Sequence, residues 1–165
     1  MVLVRAWRHA LASLQPAGRR LGGAALDRIE AEIVRAEASH AGEIRIAIET
    51  ALTAAQLWQG LAPRARALEV FSALGLWNTE HNNGVLIYLL LADRSVEIVA
   101  DRAIAALVPE GEWRSLCRAV EERCRAGQLG EAGCDAVRGV AAVLGRHFPA
   151  SGGDRDELPN QPVLL

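Results

Sequence analysis

Three stretches of the chain carry side chains of the types that bind a hard cation or a phosphoryl group. Glu43 opens one apolar segment, and residues 80–83, Glu-His-Asn-Asn, precede another. Asp101 and Arg102 follow a third apolar segment. Carboxylate, amide and carbonyl oxygens are the ligands that Ca²⁺ and Mg²⁺ prefer. An acidic side chain beside an arginine could also activate a water molecule, while the arginine supplies positive charge to a phosphoryl group. These residue types therefore predict a divalent-cation or phosphate-ester site.

The predicted site has two overlapping sets of residues, with His40 and His81 nearby. The residues expected to hold the cation, Ca²⁺ or Mg²⁺, are Asp101, Asn83, Glu43 and Glu80. The residues expected to contact a ligand are Asn82, Asn83 and Arg102. No residue is assigned a catalytic role, because the sequence has no HExxH, P-loop or GxSxG motif.

The same residues also have plain structural interpretations. Asn82 and Asn83 suit a turn before Gly84, Asp101 suits the N-cap of a short helix, and Glu80 lies in a polar surface loop. These alternatives stay open at the level of the sequence.

The elements that must position these residues follow from hydrophobic periodicity. Residues 43–49, EIRIAIE, alternate as a strand with one buried face, whose other face is either partly wet or has its charges paired to a neighbour. Residues 85–91 form an apolar run typical of a strand covered on both faces, and residues 96–100 return as its antiparallel partner. A helix at 63–74 connects the first two strands, which predicts a parallel pair. Glu43, Asn83 and Asp101 are then expected at one end of the sheet.

Further helices are predicted at 24–39, 109–125 and 131–148, whereas residues 50–61 show no clean pattern. The predicted fold class is α/β, a small mixed sheet made of a parallel pair plus an antiparallel hairpin, with helices packed on it as a sandwich.

The N-terminal segment has its own character. Leu3, Trp7, Ala10, Leu11 and Leu14 recur at helical spacing, and the intervening positions include arginines. This pattern predicts an amphipathic helix docked on the domain by its apolar face; the alternative is a helix that lies in a membrane interface. Prolines and glycines at 16–23 predict a loop.

Composition limits the remaining possibilities. A length of 165 residues predicts one domain. The net charge of -2 gives no overall positive potential that would attract nucleic acid. Interrupted apolar segments give no membrane span or signal peptide, so we expect a cytoplasmic protein, peripheral at a membrane surface if the N-terminal segment is an anchor. Three cysteines without a CxxC pair predict free thiols. We divide the chain into an N-terminal helix and loop (1–23), an α/β domain (24–148) and a flexible or extended tail (149–165).

The stretch from Asn82 to Ile104, NNGVLIYLLLADRSVEIVADRAI, resembles the core of the TPM domain family. That family joins a thylakoid lumen phosphatase, a photosystem II repair protein and a nematode receptor accessory protein. The resemblance extends over about residues 40–148, including EIRIAIE and ERCRAGQLGEAG, and is that of a soluble bacterial branch. The chain departs from the family at Asp101, Arg102 and Ala103, where a glycine is usual.

The resemblance implies a TPM-domain sandwich, divalent-cation binding and, in one branch, metal-assisted acid phosphatase activity on phosphate monoesters. We favour a non-enzymatic accessory or binding protein that assists membrane-protein or stress-related assembly. Its expected protein contacts are the N-terminal helix and the tail LPNQPVLL; the alternative for the tail is that it packs on its own domain.

Overall fold

A computed structural model of the chain describes residues 2–150 and 157–165. Its first half contains α1 (Val2–Ala12), α2 (Ala17–Leu21), α3 (Gly23–Glu37), β1 (Glu43–Glu49), α4 (Ala54–Trp58) and α5 (Pro63–Ala73). Its second half contains β2 (Gly84–Leu90), β3 (Ser95–Ala100), α6 (Arg102–Ala105), α7 (Glu110–Arg125), α8 (Leu129–His147) and β4 (Val163–Leu164).

The sheet has the strand order β3-β2-β1-β4. Strands β1 and β2 run parallel, with Glu43 opposite Gly84, and β3 returns antiparallel to β2, with Ala100 opposite Val85. The predicted α/β class with a parallel pair and a hairpin is confirmed.

Side-chain alternation along the strands supplies the two faces of the core. Ile46 and Ile87 point to the face covered by α3, α7 and α8, where Ile29 and Val137 are buried. Leu86, Tyr88 and Leu90 point to the opposite face, which packs against α5. The charged face of β1 is buried as well, so the interpretation of that face as partly wet is wrong. Its charges are paired instead, as the alternative interpretation required.

The charged residues of β1 take partners from α5, β2 and the C-terminal tail. Glu49 accepts hydrogen bonds from Arg66 Nε at 2.9 Å and from the Tyr88 hydroxyl at 2.5 Å. Burial and the Glu49 carboxylate raise the pKa of Tyr88 far above its ordinary value. Arg45 donates to the carbonyl of Pro159 at 2.6 Å. Each of these contacts compensates a charge on a strand that has no wet face.

The docking face of α1 is the reverse of the predicted one. His9 is buried and Arg5 is half-buried, whereas the large apolar side chains of Leu3, Val4, Trp7 and Leu11 are exposed. Arg5 Nε donates to Asp93 at 2.9 Å, and the backbone N–H of Leu52 donates to His9 Nδ1 at 2.9 Å. The prediction of inward apolar residues fails because the Asp93 carboxylate in the turn after β2 is only 9% exposed. Its polar partners, Arg5, Arg8 and His9, therefore face the domain.

Two short helices lie where no helix was predicted. The predicted loop at 16–23 contains α2, whose Ala17 N–H donates to Thr50 Oγ1 at 2.8 Å. Residues 54–58 form α4, which begins with a capping box between Thr53 and Gln56.

The C-terminal residues lie along the outer edge of β1. Val163 pairs with Ala47 and Leu164 with Ile48, in parallel orientation, and Leu158 packs against the core. The tail LPNQPVLL, expected to be extended, therefore contributes a short fourth strand, β4, at Val163–Leu164.

Candidate functional site

Three strand ends meet at the end of the sheet where β2 begins. Glu43 lies opposite Gly84 on one side, and on the other side the Asp101 N–H donates to the Gly84 carbonyl at 2.9 Å. Asn83 directly precedes Gly84, and its carbonyl accepts from the Glu43 N–H at 3.1 Å. The topology thus brings together the strand-end residues Glu43, Asn83 and Asp101.

Asn83 is buried, with 3% of its surface exposed. Its backbone N–H donates to Thr79 Oγ1 at 3.1 Å, and its amide nitrogen donates to the Ala41 carbonyl. Its amide oxygen Oδ1 is buried and has no hydrogen-bond partner among the described residues. The amide orientation is fixed by the carbonyl of Ala41, because only the nitrogen can donate there.

Asp101 is also buried, with 5% of its surface exposed. Its Oδ1 accepts from the Arg102 N–H at 2.7 Å and caps α6, which confirms the capping prediction. Its second oxygen, Oδ2, is buried and makes no hydrogen bond within the part of the chain that the structure describes. A buried carboxylate oxygen without a partner carries a desolvation cost that a bound cation would remove.

Asn82 and Arg102 form the outer layer of this region. Asn82 adopts a left-handed backbone conformation with φ of 51°, which Asn tolerates better than most residues. Its carbonyl accepts from the Ala103 N–H at 3.2 Å, and its Oδ1 accepts from Arg102 Nη2 at 2.6 Å. The Arg102 side chain is 81% exposed, so its remaining donors face solvent.

The tail closes one side of the site. The N–H of Leu158 donates to Glu43 Oε2 at 3.3 Å, and the Glu157 carboxylate accepts from the Glu80 N–H at 3.2 Å. Glu43 is thereby engaged by the tail, whereas the side chains of Glu80 and His81 are exposed. Hydrophobic periodicity could not predict this cover, because the tail is distant in sequence from Glu43 and its strand is only two residues long.

The remaining predicted member, His40, is buried, and its Nδ1 accepts from the Gly42 N–H at 3.2 Å. This bond stabilises the loop that leads into β1, so the role that the contact supports for His40 is a structural one.

The fit of a divalent cation depends on oxygen ligands. Across residues 2–150 and 157–165, no three His, Cys, Asp or Glu side chains form a metal-binding group. A calcium or magnesium ion does not require such a group, since amide oxygens, backbone carbonyls and water complete its coordination. Asn83 Oδ1 and Asp101 Oδ2 are two buried oxygens of the right chemistry. The residues present therefore fit a hard cation better than zinc, which needs His or Cys ligands.

The sequence model of the TPM domain family matches residues 20–143 of this chain. The chain belongs to the TPM domain family. This match begins about one helix earlier than the resemblance in the sequence suggests, and it includes α3, β1, β2, β3 and α7 in full.

A solved structure of a bacterial protein has a similar fold. The chain resembles the BA42 protein from the psychrophilic bacterium Bizionia argentinensis, whose structure was determined by NMR, with 28% identity and a TM-score of 0.75. The similarity covers 86% of this chain and 93% of that protein. No curated protein matches this TPM-domain chain significantly.

Two further features bear on function. No helix in residues 2–150 or 157–165 has the length and hydropathy needed to cross a bilayer. All three cysteines are free, as predicted, and burial raises the pKa of the Cys124 thiol to about 11. Thiolate chemistry at neutral pH is therefore disfavoured at Cys124.

Proposed function

We propose that this TPM-domain chain is a non-enzymatic accessory or binding protein that holds a divalent cation, Ca²⁺ or Mg²⁺, where β2 begins. The observation that supports the proposal most directly is the pair of buried oxygens, Asn83 Oδ1 and Asp101 Oδ2, that accept no hydrogen bond from any described residue. Glu43 and Glu80 would add carboxylate charge from the neighbouring strand and loop. Assistance to membrane-protein or stress-related assembly is the role that we assign to the cation-bound form.

The test is a titration of the full chain with CaCl₂ or MgCl₂, followed by backbone amide chemical shifts. We expect the amides of Asn83, Gly84 and Asp101 to move in a saturable manner. Shifts confined to other regions, or no shifts, would reject the site.

Asp101→Asn is the informative variant, because asparagine also caps helices well and so preserves α6, while the anionic charge is removed. We expect this variant to lose the saturable shifts. Glu131→Gln on α8 is the matched control, because it removes one negative charge from a side chain that is 52% exposed and pairs with Arg28, outside the cluster of strand-end residues. Retention of binding by both variants would contradict the role of Asp101.

A metal-assisted acid phosphatase acting on phosphate monoesters is the second candidate. It is favoured by the exposed Arg102 guanidinium next to the Asp101 carboxylate, since a cationic donor near a metal stabilises a phosphoryl group. Turnover of p-nitrophenyl phosphate with added Mg²⁺ or Ca²⁺, compared between the wild type and Asp101→Asn, tests this candidate. Equal and negligible rates would remove it and leave the cation-binding proposal intact.

A further inference from the structure

The apolar residues of α1 and of the turn after it form an exposed surface. Leu3 is 85% exposed, Leu14 73%, and Val4 and Trp7 are each 68% exposed. Leu11 is 50% exposed. Positions 3, 4, 7 and 11 follow helical spacing, so these side chains share one side of α1, and Leu14 lies in the turn after it. We call Leu3, Val4, Trp7, Leu11 and Leu14 the α1 apolar face. A contiguous apolar face of this kind marks an interaction site.

The exposure of this face is imposed by the opposite side of the helix. Arg5 Nε bonds to Asp93, and Arg5 Nη2 donates to the Leu61 carbonyl at 2.9 Å. Arg8 also reaches Asp93, at 2.9 Å, and His9 is 1% exposed. Rotating α1 to bury its leucines would remove these polar contacts and leave Asp93 buried without a partner, which is costly. The fold therefore holds the apolar face outward.

Positive charge borders the α1 apolar face. Leu11 lines a surface depression together with Arg8, Arg20 and Arg94, and Leu14 lines another with Arg19. Arg19, Arg20 and Arg94 are exposed and make no ion pair among the described residues. Residues 1–21 contain no Asp or Glu. An apolar stripe with tryptophan and bordering arginines is the pattern of a helix that lies in the interface of an anionic bilayer.

Charge also argues against a second copy of this chain as the occupant. In a two-fold symmetric contact the same patch meets itself, so the bordering arginines would face one another. An anionic lipid surface instead complements them, since each Lys or Arg near such a surface contributes favourably.

We propose that α1 and the turn after it dock the domain on an anionic membrane surface, with the α1 apolar face inserted at the level of the headgroups. Asp93, Arg5 and His9 hold the helix on the domain, while Arg19, Arg20 and Arg94 contact acidic lipid headgroups. This surface lies at the opposite end of β2 from Asn83 and Asp101, so the proposal stands independently of the cation site.

The test is co-sedimentation of the full chain with vesicles, in the presence of EDTA so that no divalent cation takes part. One set of vesicles is phosphatidylcholine alone, and the other contains about 30 mol% phosphatidylserine as the source of negative charge. We expect binding to the anionic vesicles only, and weaker binding as NaCl screens the arginines. Absence of binding to the anionic vesicles would overturn the proposal.

The double variant Trp7→Ser/Leu11→Ser removes two side chains of the face without touching the buried contacts of α1. We expect its vesicle affinity to fall about tenfold or more, which corresponds to about 1.4 kcal/mol. The matched control is Trp77→Ser/Leu68→Ser, which removes an exposed tryptophan and an exposed leucine from α5 and the turn after it. Equal loss in both variants, or no loss in the first, would contradict the assignment.

The charge contribution is tested separately by Arg19→Gln/Arg20→Gln, for which we expect weaker binding at low salt and a smaller salt dependence. A concentration-dependent dimer in sedimentation velocity that the Trp7→Ser/Leu11→Ser variant abolishes would identify a second copy of the chain as the occupant and would overturn the lipid proposal.

Discussion

Gly84 stands at the point where β2 begins, between Asn83 and the strand-end contact of Asp101. A Cβ at this position would lie 2.3 Å from the carbonyl oxygen of Leu76, which is backbone and has little freedom to move. We therefore expect Gly84→Ala to destabilise the fold by about 1–3 kcal/mol, the usual cost of overpacking. The free energy of unfolding from urea titrations measures this effect.

The control for Gly84→Ala is Gly111→Ala near the start of α7. Nothing lies within 4 Å of a Cβ at Gly111, and alanine is a better helix former than glycine. We expect the stability of this variant to be unchanged or raised, so a similar loss in both variants would show that steric contact at Leu76 is not the cause.

At the same scale, the sequence predicts which residue types meet but not which of their atoms stay unpaired. Asn83 and Asp101 were both expected at the strand ends on the basis of strand direction. Their free oxygens depend on single contacts, the Asn83 amide with Ala41 and the Asp101 carboxylate with Arg102. Such contacts depend on side-chain rotamers, which hydrophobic periodicity does not determine.

Among the elements, β4 has a stabilising role that exceeds its length. The outer edge of β3 is already occupied by side chains, since Arg64 Nη1 donates to the Ile98 carbonyl at 2.5 Å and Glu121 accepts from the Val96 N–H. The outer edge of β1 is protected by the tail, through Val163, Leu164 and Leu165. Unprotected edges promote association between sheets.

Removal of residues 157–165 is therefore expected to lower the melting temperature and to cause concentration-dependent association. Light scattering during thermal unfolding measures both effects. The matched variant is Arg45→Gln in the full-length chain, which loses the contact with Pro159 but retains β4. If truncation left both stability and association unchanged, the tail would not contribute to the sheet.

The docking of α1 has a pH dependence that follows from Asp93. Burial alone would raise the pKa of its carboxyl, but hydrogen bonds from Arg5 and His9 and the positive charge of Arg5 outweigh burial and lower the pKa below its ordinary value. A carboxyl whose pKa falls on folding stabilises the folded state above its unfolded pKa, and this contribution is lost as pH falls through the folded value.

A double-mutant cycle with Arg5→Gln and Asp93→Asn isolates this pair from His9. We expect a coupling free energy of about 1 kcal/mol at pH 7, as for partly exposed ion pairs, that declines below about pH 4, the ordinary range of an aspartate. Urea unfolding of the four proteins across this pH range measures the coupling. A coupling that stays constant down to pH 3 would indicate that the Asp93 charge is not its source.

For the molecule as a whole, strand periodicity and connection rules were sufficient to predict the mixed sheet and its covering helices. The seven residues of β1 carry a strong signal because apolar and polar side chains alternate strictly, and those of β2 because the apolar run is unbroken. The orientation of α1 was not predictable, because it depends on Asp93, a residue more than 80 positions away. The fourth strand was not predicted, because a two-residue strand is too short to show the alternation of apolar and polar side chains.

A cation bound at the proposed site would stabilise the whole molecule, since a ligand that binds only the folded state stabilises all of it. At a free Ca²⁺ concentration one hundredfold above Kd, the gain is about 2.7 kcal/mol. For a domain of this size, we expect the melting temperature to rise by about 5–10 °C, given about 2–4 °C for each kcal/mol. Differential scanning calorimetry with CaCl₂, compared with EDTA, measures the shift.

Glu131→Gln should retain the shift, because it leaves Asp101 Oδ2 in place. Asp101→Asn should lose most of the shift, because it removes the charge of that carboxylate. An equal rise in the wild type and Asp101→Asn would mean that calcium stabilises the fold from another part of its surface.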